Sequence, residues 1–573
     1  MKTKLTILTF LLLNILTYSE IRYVSPQGSN TAPFISWATA SNTIQGCVDV
    51  SSPGDTIYVG NGVYKEVVTM IRKLALIGSG IDSCIIDTRE LAEPVEFRSV
   101  IFANESLLKG FRIIVSKNKE GDGVIVRGAI NEGIIEHNLF QNSYSGCYVT
   151  GSQVVIRHNI FNNNSRGVNI SSPLEHYKQQ IYNNIFTGFS GAAIGMNVGA
   201  NGIIRNNVFY LDSKFDSGFF MSQTYGLEIT SNLIISELGF YGIANSLYQP
   251  IKNHNNVIIG KFEGYSILTG EGNDIRNNVV INGTKGIAVQ PGHFPTIKYN
   301  NVWNNTKNYI NFTPDSTNIS EDPMFVNEDS LDFRLQMFSP LIDAGDPEIL
   351  DKDGTRSDIG LFGGPYGESY KYQDYAPKPP KNLTAEMNEN EVTLNWLYNT
   401  EADFSHYRVY RDTVPNFIYD TTKIIAEVKD TTIYKDKIRT GRNVYYKITA
   451  MDNQGNQSAA SEEVSVISVG VEKPKLIAND YKLFQNYPNP FNPSTMISYR
   501  LKENSRVRIV LYSTTGEKVE EIINKHQEKG YYEINYNARK RGLSSGIYIL
   551  RMEVKDENNI PRYTDAVKMI LVK

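Results

Sequence analysis

Through the first two thirds of the chain, apolar and polar positions alternate in short runs, and none carries the 3.6-residue period of an amphipathic helix long enough to matter. An Asn followed by two apolar residues recurs as NLF at 138, NIF at 159 and 184, NVF at 207, NLI at 232, NVI at 256, NVV at 278 and NVW at 301, at intervals of 21 to 25 residues. Most copies carry Ile or Val three places earlier, as in IIEHN, VIRHN, QIYNN and IIRNN. A Gly-led run recurs between them: GCYVT at 146, GVNIS at 167, GAAIG at 191, GFFMS at 218, GIANS at 242, GYSIL at 264 and GIAVQ at 286. The pattern predicts about three short strands per period, separated by Asn and Gly turns.

A unit of this size cannot bury its apolar face alone, so the repeats must stack as the rungs of a parallel β-helix. Asn suits such turns because it tolerates left-handed backbone angles, and its amides can stack as a ladder along the axis. The Asn column is therefore read as structural. In two copies Asn255 and Asn300 fit almost as well as Asn256 and Asn301. Two residues before each Asn runs the row Glu136, Arg157, Tyr182, Arg205, Thr230, His254, Arg276 and Tyr299. Its neighbours should stand about 4.8 Å apart along the axis. It is expected to be a solvated charged face on which Arg205 is dispensable, with an aromatic and Arg-lined saccharide strip as the alternative.

Earlier rungs begin at GDTIYVGNGVYKEVV (54–68), KLALIGSG (73–80) and LLKGFRIIV (107–115). With SWATASNTIQGCVDVSSPGDTIYV before them, residues 21–365 resemble the right-handed β-helix proteins of the pectin lyase-like superfamily. The resemblance implies an amphipathic helix over the open N-terminal end. DPMFV at 322, FRLQMFSPLIDAGDP at 333 and DKDGTRSDIGLFGGP at 351 resemble a closing segment of bacterial secreted β-helix proteins, expected to cap the last rung.

Beyond a Pro-bearing linker at 366–377, LTAEMNENEVTLNWLY, HYRVYRD and NVYYKITAMDNQGNQ alternate at sandwich spacing, and residues 378–470 resemble a fibronectin type III domain. Trp396 is its expected core aromatic. Val444 stands where that family has its corner Tyr, and Tyr446 points inward. After a second linker at 471–480, residues 481–573 carry LFQNYPNPFNPST, TTGEKVEEI, LSSGIYILRMEV and a terminal KMILVK. They resemble the type A C-terminal sorting domain of the type IX secretion system, implying export across the outer membrane of a Gram-negative, Bacteroidota-like bacterium to its surface or beyond. The fold class expected is thus all-β, a right-handed parallel β-helix solenoid followed by two small β-sandwich domains.

Composition changes this picture little. With 41% hydrophobic and 21% charged residues the 573-residue chain folds, and its length asks for several domains. Cys47, Cys84 and Cys147 are too few for a disulfide framework and are expected to be buried thiols. MKTK followed by an apolar run from Leu5 to Leu16 has the order of a signal peptide over 1–19, and no stretch approaches the roughly 20 apolar residues of a transmembrane helix. The net charge of −4, with the C-terminal 93 residues basic and the rest acidic, argues against nucleic acid as a partner.

The solenoid resemblance implies a saccharide along the outer face of one sheet, cleaved by Asp pairs in hydrolases or by a basic residue with calcium in many lyases. If the Gly-led strands form that sheet, alternation turns Tyr148, Thr150, Asn169, Ser171, Ala193, Phe220, Ser222, Ala244, Ser246, Ser266, Ala288 and Gln290 outward. None is an ionisable acid or base, and the paired-Asp, Gly-His-Gly and Arg-x-Lys signatures of polygalacturonases are missing. Charges expected in adjoining loops are Asp122, Arg166, Asp212, Lys214, Asp216, Glu263 and Lys285. Catalysis, if present, is assigned to Asp212, Lys214, Asp216 and Arg166. Substrate binding is assigned to Tyr148, Asn169, Phe220 and Gln290, with Glu175, His176 and Lys178 from the insertion at 171–180. Calcium is a possible cofactor, at Asp351, Asp353 and Asp358, whose spacing around Gly354 suits oxygen ligation. Three functions remain open: a surface protein binding polysaccharide or a cell-surface glycan, a polysaccharide lyase or glycoside hydrolase acting on a uronate-containing glycan, and a non-catalytic adhesin or stalk.

Overall fold

A computed structural model describes residues 19–91, 98–115, 121–128, 132–171, 177–197, 199–222, 224, 226–246, 250–388, 390–439, 443–467, 480–538 and 542–572. The proposed signal peptide, Glu175 and His176 lie outside the described residues. The chain divides into two compact units, one ending at Asp374 and one beginning at Tyr375.

The first unit is a parallel β-helix. Its central turn runs through Val154–Arg157 in sheet 1, Ile160–Asn162 in sheet 2 and Arg166–Ser171 in sheet 3, each strand pairing in parallel with its equivalent one turn later. Sheet 1 has twelve strands. Sheets 2 and 3 merge where Leu233–Ser246 and Val257–Thr269 run unbroken round the corner between them. Inward residues stack on their own kind. Phe140, Phe161, Phe186 and Phe209 form a column with ring centroids 5.0, 4.8 and 4.8 Å apart, continued by Ile234, Ile258, Val280 and Val302. This column explains the Gly-led motif: a Cβ on Gly146 or Gly167 would lie 2.4 or 2.5 Å from a Phe161 or Phe186 ring carbon. At the N-terminal end Thr43 caps the short helix Ile44–Val50, and Ile44, Cys47 and Val48 close the core as expected. All three cysteines are free and buried.

The Asn column is a buried ladder. Asn159 donates from its backbone to Asn184 Oδ1 at 2.9 Å and from Nδ2 to the carbonyls of Ile135 and Arg157, and the pattern repeats through Asn207, Asn232, Asn256, Asn278 and Asn300. The left-handed residue is the one before it: His137, His158, Asn183, Asn206, Ser231, Asn255, Asn277 and Tyr299 have φ between 54° and 57°. The ladder Asn is thus selected by its amide, which satisfies backbone groups inside the turn, and the expected backbone reason belongs to its neighbour. Because Asn300 is the ladder residue of the last copy, Lys298 takes the place expected for Tyr299 in the outer row of sheet 1.

The closing segment does not lie over the last rung. It runs back along the outside of sheet 2, where Phe325, Phe333, Leu335, Leu341 and Ile359 cover Leu233, Val257, Val279 and Ile281. The left-handed Asn residues hold it: Asn277 Oδ1 accepts from Asp346 N, Asn255 Nδ2 donates to Asp358 O, and Asn206 Nδ2 donates to Tyr366 O. Residues 366–374, expected as linker, belong to this strap. Arg205 is held between the rings of Tyr182 and Tyr366, at 4.3 and 5.1 Å, so it is a packed residue.

The second unit holds two sandwiches. In the first, Thr384–Asn388, Glu391–Asn395 and Ile433–Lys437 form one sheet, and Phe404–Asp412, Ile424–Val428, Asn443–Asp452 and Val464–Ile467 the other. Trp396 meets Tyr407 edge-on in its core. Tyr446 points inward, its hydroxyl donating at 2.6 Å to Asp436, which also pairs with Arg411. The second sandwich packs Lys482–Leu483, Ser494–Leu501 and Gly530–Asn537 against Ser505–Ser513, Lys518–Gln527, Gly546–Lys555 and Pro561–Leu571.

Candidate functional site

Sheet 3 presents two outward columns, and their register decides which residues meet. The middle column reads Ile125, Tyr148, Asn169, Gly195, Phe220, Ala244, Leu268, Ala288 and Ile310. Tyr148, Asn169 and Phe220 thus share one line, as expected, within about 14 Å given the rung spacing. Two expected members drop out. Ala193 is buried in the core one step away, because the turn before it is lengthened and Gly195 takes the outward position. Ser266 is buried and Leu268 is the outward residue of its strand.

Phe220 stands between a residue with no side chain and a single methyl, which leaves its ring 46% exposed. Beside it, the Arg166 side chain crosses the gap over Gly195, where an added Cβ would lie 3.9 Å from Cδ and Nη1 and 3.6 Å from Asn169 Oδ1. The Arg166 guanidinium also sits 5.6 Å over the Tyr144 ring, a cation–π contact that aims its edge along the sheet.

The first column begins the same strands. Asp122, Arg166 and Lys285 are strand residues here, not loop residues, in line with Ser145, Ser217, Tyr241 and Tyr265. Tyr241 and Tyr265 stack at 6.2 Å with 13° between their planes, and Lys285 Nζ lies 5.1 Å over Tyr265. With Phe220 and the exposed Phe240 and Phe215 they make an aromatic strip. Sequence reasoning missed Tyr241 and Tyr265; the signal was an aromatic next to the motif Gly in YGIA and GYSI, hidden because Tyr241 pairs with Tyr265 and Gly242 therefore faces Ser266, not Gly264. At the other end, burial pushes the Asp122 carboxyl up while Ser145 N donates to it and Arg98 and Arg127 oppose the rise.

Asp212, Lys214 and Asp216 occupy the corner that leads into the Phe220 strand, about two rungs or 10 Å from the Arg166 position. Asp216 is fully buried and Asp212 exposed. Burial first, and the adjoining Asp212 carboxylate second, push Asp216 up to about 7. The two acids stand on one turn, closed by Ser213 N donating to Asp216 Oδ2 at 3.0 Å, and not on opposed elements as the two carboxyls of a glycoside hydrolase do. Lys214 lies over the Phe215 ring.

The remaining expected residues lie elsewhere. Lys178 opens a strand of sheet 1, and Gln290 is several rungs from Phe220 with its amide donating to Asn245 O. Asp351 accepts from the amides of Gly364 and Asp358, Asp353 from Thr355, and Asp358 from Asp343 N and the Tyr372 hydroxyl. Asp351 and Asp358 tie the strap together with both oxygens accepting internal donors, while exposed Asp353 accepts at Oδ1 within its own turn.

Comparison with known proteins matches residues 98–258 to the right handed beta helix region and residues 485–563 to the secretion system C-terminal sorting domain. Curated relatives include amylopullulanases of Thermoanaerobacter thermohydrosulfuricus, 36% identical over 89 residues, and of Thermoanaerobacterium thermosulfurigenes, 32% identical over 88. These stretches are 16% and 15% of this chain, which spans 6% and 4% of those relatives. Similar solved structures include an Fn3-like protein from Clostridium thermocellum, at 28% identity and TM-score 0.15 over 17% of this chain and 98% of that one. An alginate lyase from Paenibacillus sp. aligns at 13% identity and TM-score 0.31 over 45% of this chain and 96% of that one. No helix among the described residues is long and apolar enough to cross a membrane. A β-solenoid followed by a sorting domain of this kind makes the chain a secreted or cell-surface protein linked to type IX secretion.

Proposed function

We propose that the protein binds polysaccharide along the outer face of sheet 3, after export across the outer membrane of a Gram-negative bacterium. The observation that carries this reading is the open double column in which Tyr148 and then Arg166 and Asn169 lie on adjacent rungs and, past the Gly195 rung, Phe220, Tyr241 and Tyr265 lie on the next three. The exposed ring of Phe220 and the half-buried rings of Tyr148, Tyr241 and Tyr265 suit the C–H faces of sugar rings, while Arg166 offers donors to hydroxyl or carboxylate oxygens; Asn169 shares the line but is buried. The relatives' name, amylopullulanase, belongs to proteins named for polysaccharides and agrees with a carbohydrate partner. The first sandwich, read as a fibronectin type III-like module, serves as a spacer before the sorting domain.

The test is retardation of the mature protein in gels containing neutral glycans or polyuronates. Phe220→Ala combined with Tyr265→Ala should abolish retardation without moving the melting temperature, whereas equal retardation of wild type and variant overturns the assignment. A second reading, cleavage of a uronate-containing glycan, draws on Asp216, pushed up to about 7 by burial, about two rungs from Arg166 along the same edge of sheet 3. It requires release of unsaturated or reducing ends that disappears when Asp212→Asn, Lys214→Met and Asp216→Asn are combined.

A further inference from the structure

Sheet 1 opens on an aromatic cluster that stands outside the hydrophobic core. Its two outward columns begin Ile21, Thr56 and Ala75, and beside them Tyr23, Tyr58 and Ile77. The Tyr23 and Tyr58 rings stack with centroids 6.2 Å apart and 29° between their planes, and Trp37, from the loop after the first strand, stands 4.7 Å from Tyr23. The rings are held in place but not covered. Tyr23 N donates to Phe34 O and Ser41 N to Tyr23 O, which pins both ends of the loop to the first strand, and the Ser36 and Thr39 hydroxyls bond at 2.8 Å across the turn that carries Trp37. The Trp37 ring rests on the backbone of Gly60, where an added Cβ would lie 3.2 Å from a ring carbon. Trp37 is nevertheless 51% exposed and Tyr58 38%.

The chemistry of this cluster narrows what it can meet. Its ring faces are apolar, yet among the described residues neither the Tyr23 and Tyr58 hydroxyls nor the Trp37 indole N–H forms a hydrogen bond, whereas the Tyr64 hydroxyl donates to Gly60 O at 2.9 Å. The strip is also uncharged. Arg22 turns inward onto Asp55, and the cations that border the strip are paired, Lys73 with Glu105 and Lys109 with Glu136. A purely apolar partner would leave three polar groups unpaired, and a polyanion would find no cation in these columns. Pyranose rings offer C–H faces and hydroxyls together and bring no charge. We propose that Tyr23, Trp37 and Tyr58 form a second glycan site, for a neutral saccharide, on the outer face of sheet 1. The cluster spans two rungs, so it takes a short oligosaccharide or a chain end, too weakly to retard the protein in a gel without the longer face of sheet 3. It uses no residue of sheet 3, and its neutrality sets it apart from the side of that sheet where Arg166 lies.

The experiment is acrylamide quenching of Trp fluorescence in the full mature chain, because Trp37 is exposed while Trp396 is buried and Trp303 half-buried. The probes are malto-, cello-, manno- and xylo-oligosaccharides, with oligogalacturonate as the anionic comparison. At least one neutral oligosaccharide should protect the emission from acrylamide, and oligogalacturonate should not. Tyr58→Ala keeps Trp37 as the reporter and should weaken the protecting sugar about tenfold, the loss expected for one stacked ring. Phe220→Ala combined with Tyr265→Ala should leave the protection unchanged, so failure of this site and failure of the sheet 3 reading are told apart. Absence of protection by every neutral probe overturns the proposal, as does protection that survives Tyr58→Ala, that oligogalacturonate gives equally, or that the sheet 3 pair abolishes. A dimer in sedimentation that shields Trp37 without sugar and dissolves in Trp37→Ala would assign the face to a second copy of the chain and overturn it equally.

Discussion

Sheets 2 and 3 are consecutive faces of the same rungs, yet their outer surfaces have opposite fates. On sheet 2 the outward column Val208, Leu233, Val257 and Val279 and its neighbour Ile235, Ile259, Ile281 and Trp303 are apolar, and the strap covers them. Earlier on that sheet, before the strap arrives, the second column turns polar at Gln141, Asn162 and Thr187. On sheet 3 the middle outward column from Tyr148 to Ala244 is aromatic, polar or very small, with Ile125, Leu268 and Ile310 only towards its ends. The inward faces of both sheets are equally apolar, so stability is supplied by the interior and by the strap, leaving the surface of sheet 3 free to vary. A solenoid of this kind separates the residues that hold it together from those that meet a ligand, rung by rung.

The comparison breaks most visibly at Val257. Val257→Asp sets an unpaired charge beneath the strap at a fully buried position and should cost several kcal/mol, whereas Phe220→Asp on sheet 3 should stay within about 0.5 kcal/mol. Similar melting shifts for the two would show that sheet 3 is also covered. Asn184→Ala removes donors to Ile156 O, Tyr182 O and Asn207 Oδ1 and the acceptor for Asn159, each buried group left unpaired costing about 1–3 kcal/mol. Thermal denaturation that ignores this change would mean that the ladder follows the fold without supporting it.

Titration sharpens the contrast at the corner between the two faces. Asp216 has its folded pKa raised from 3.8 to about 7, so its neutral form stabilises the native state fully below pH 4, and that contribution is lost as pH rises through 7. The melting temperature should fall between pH 4 and pH 8, and Asp216→Asn should flatten the profile; an unchanged slope would place the titrating group elsewhere. A small effect is expected on sheet 1. Arg205→Asp should cost about 1 kcal/mol through its lost contacts with Tyr182 and Tyr366. A loss as large as that of Val257→Asp would make sheet 1 part of the strap's support.

The solenoid and the Asn ladder were legible in the sequence because each depends on a repeat interval or on period-two alternation, which neighbouring residues express locally; the capping helix was implied only by the resemblance, and the Phe column came from the structure. The line through Tyr148, Asn169 and Phe220 was legible for the same reason. What escaped was register between rungs. Turns vary in length, with intervals of 21 to 25 residues, so the partner of a residue one rung away is set by hydrogen bonding across the gap and not by sequence distance. That is why Gly195 replaced Ala193, Lys298 replaced Tyr299, and the Tyr241 and Tyr265 stack went unseen. The strap escaped more completely, because its apolar residues near 325–341 meet rungs folded from residues 233–281, and only the closed tertiary structure brings such distant segments together. The corner at Asp212 and Asp216 combines both cases: their nearness along the chain was evident from the spacing, but the burial that raises the Asp216 pKa and leaves its Oδ1 without a hydrogen-bond partner is a property of the packed corner alone.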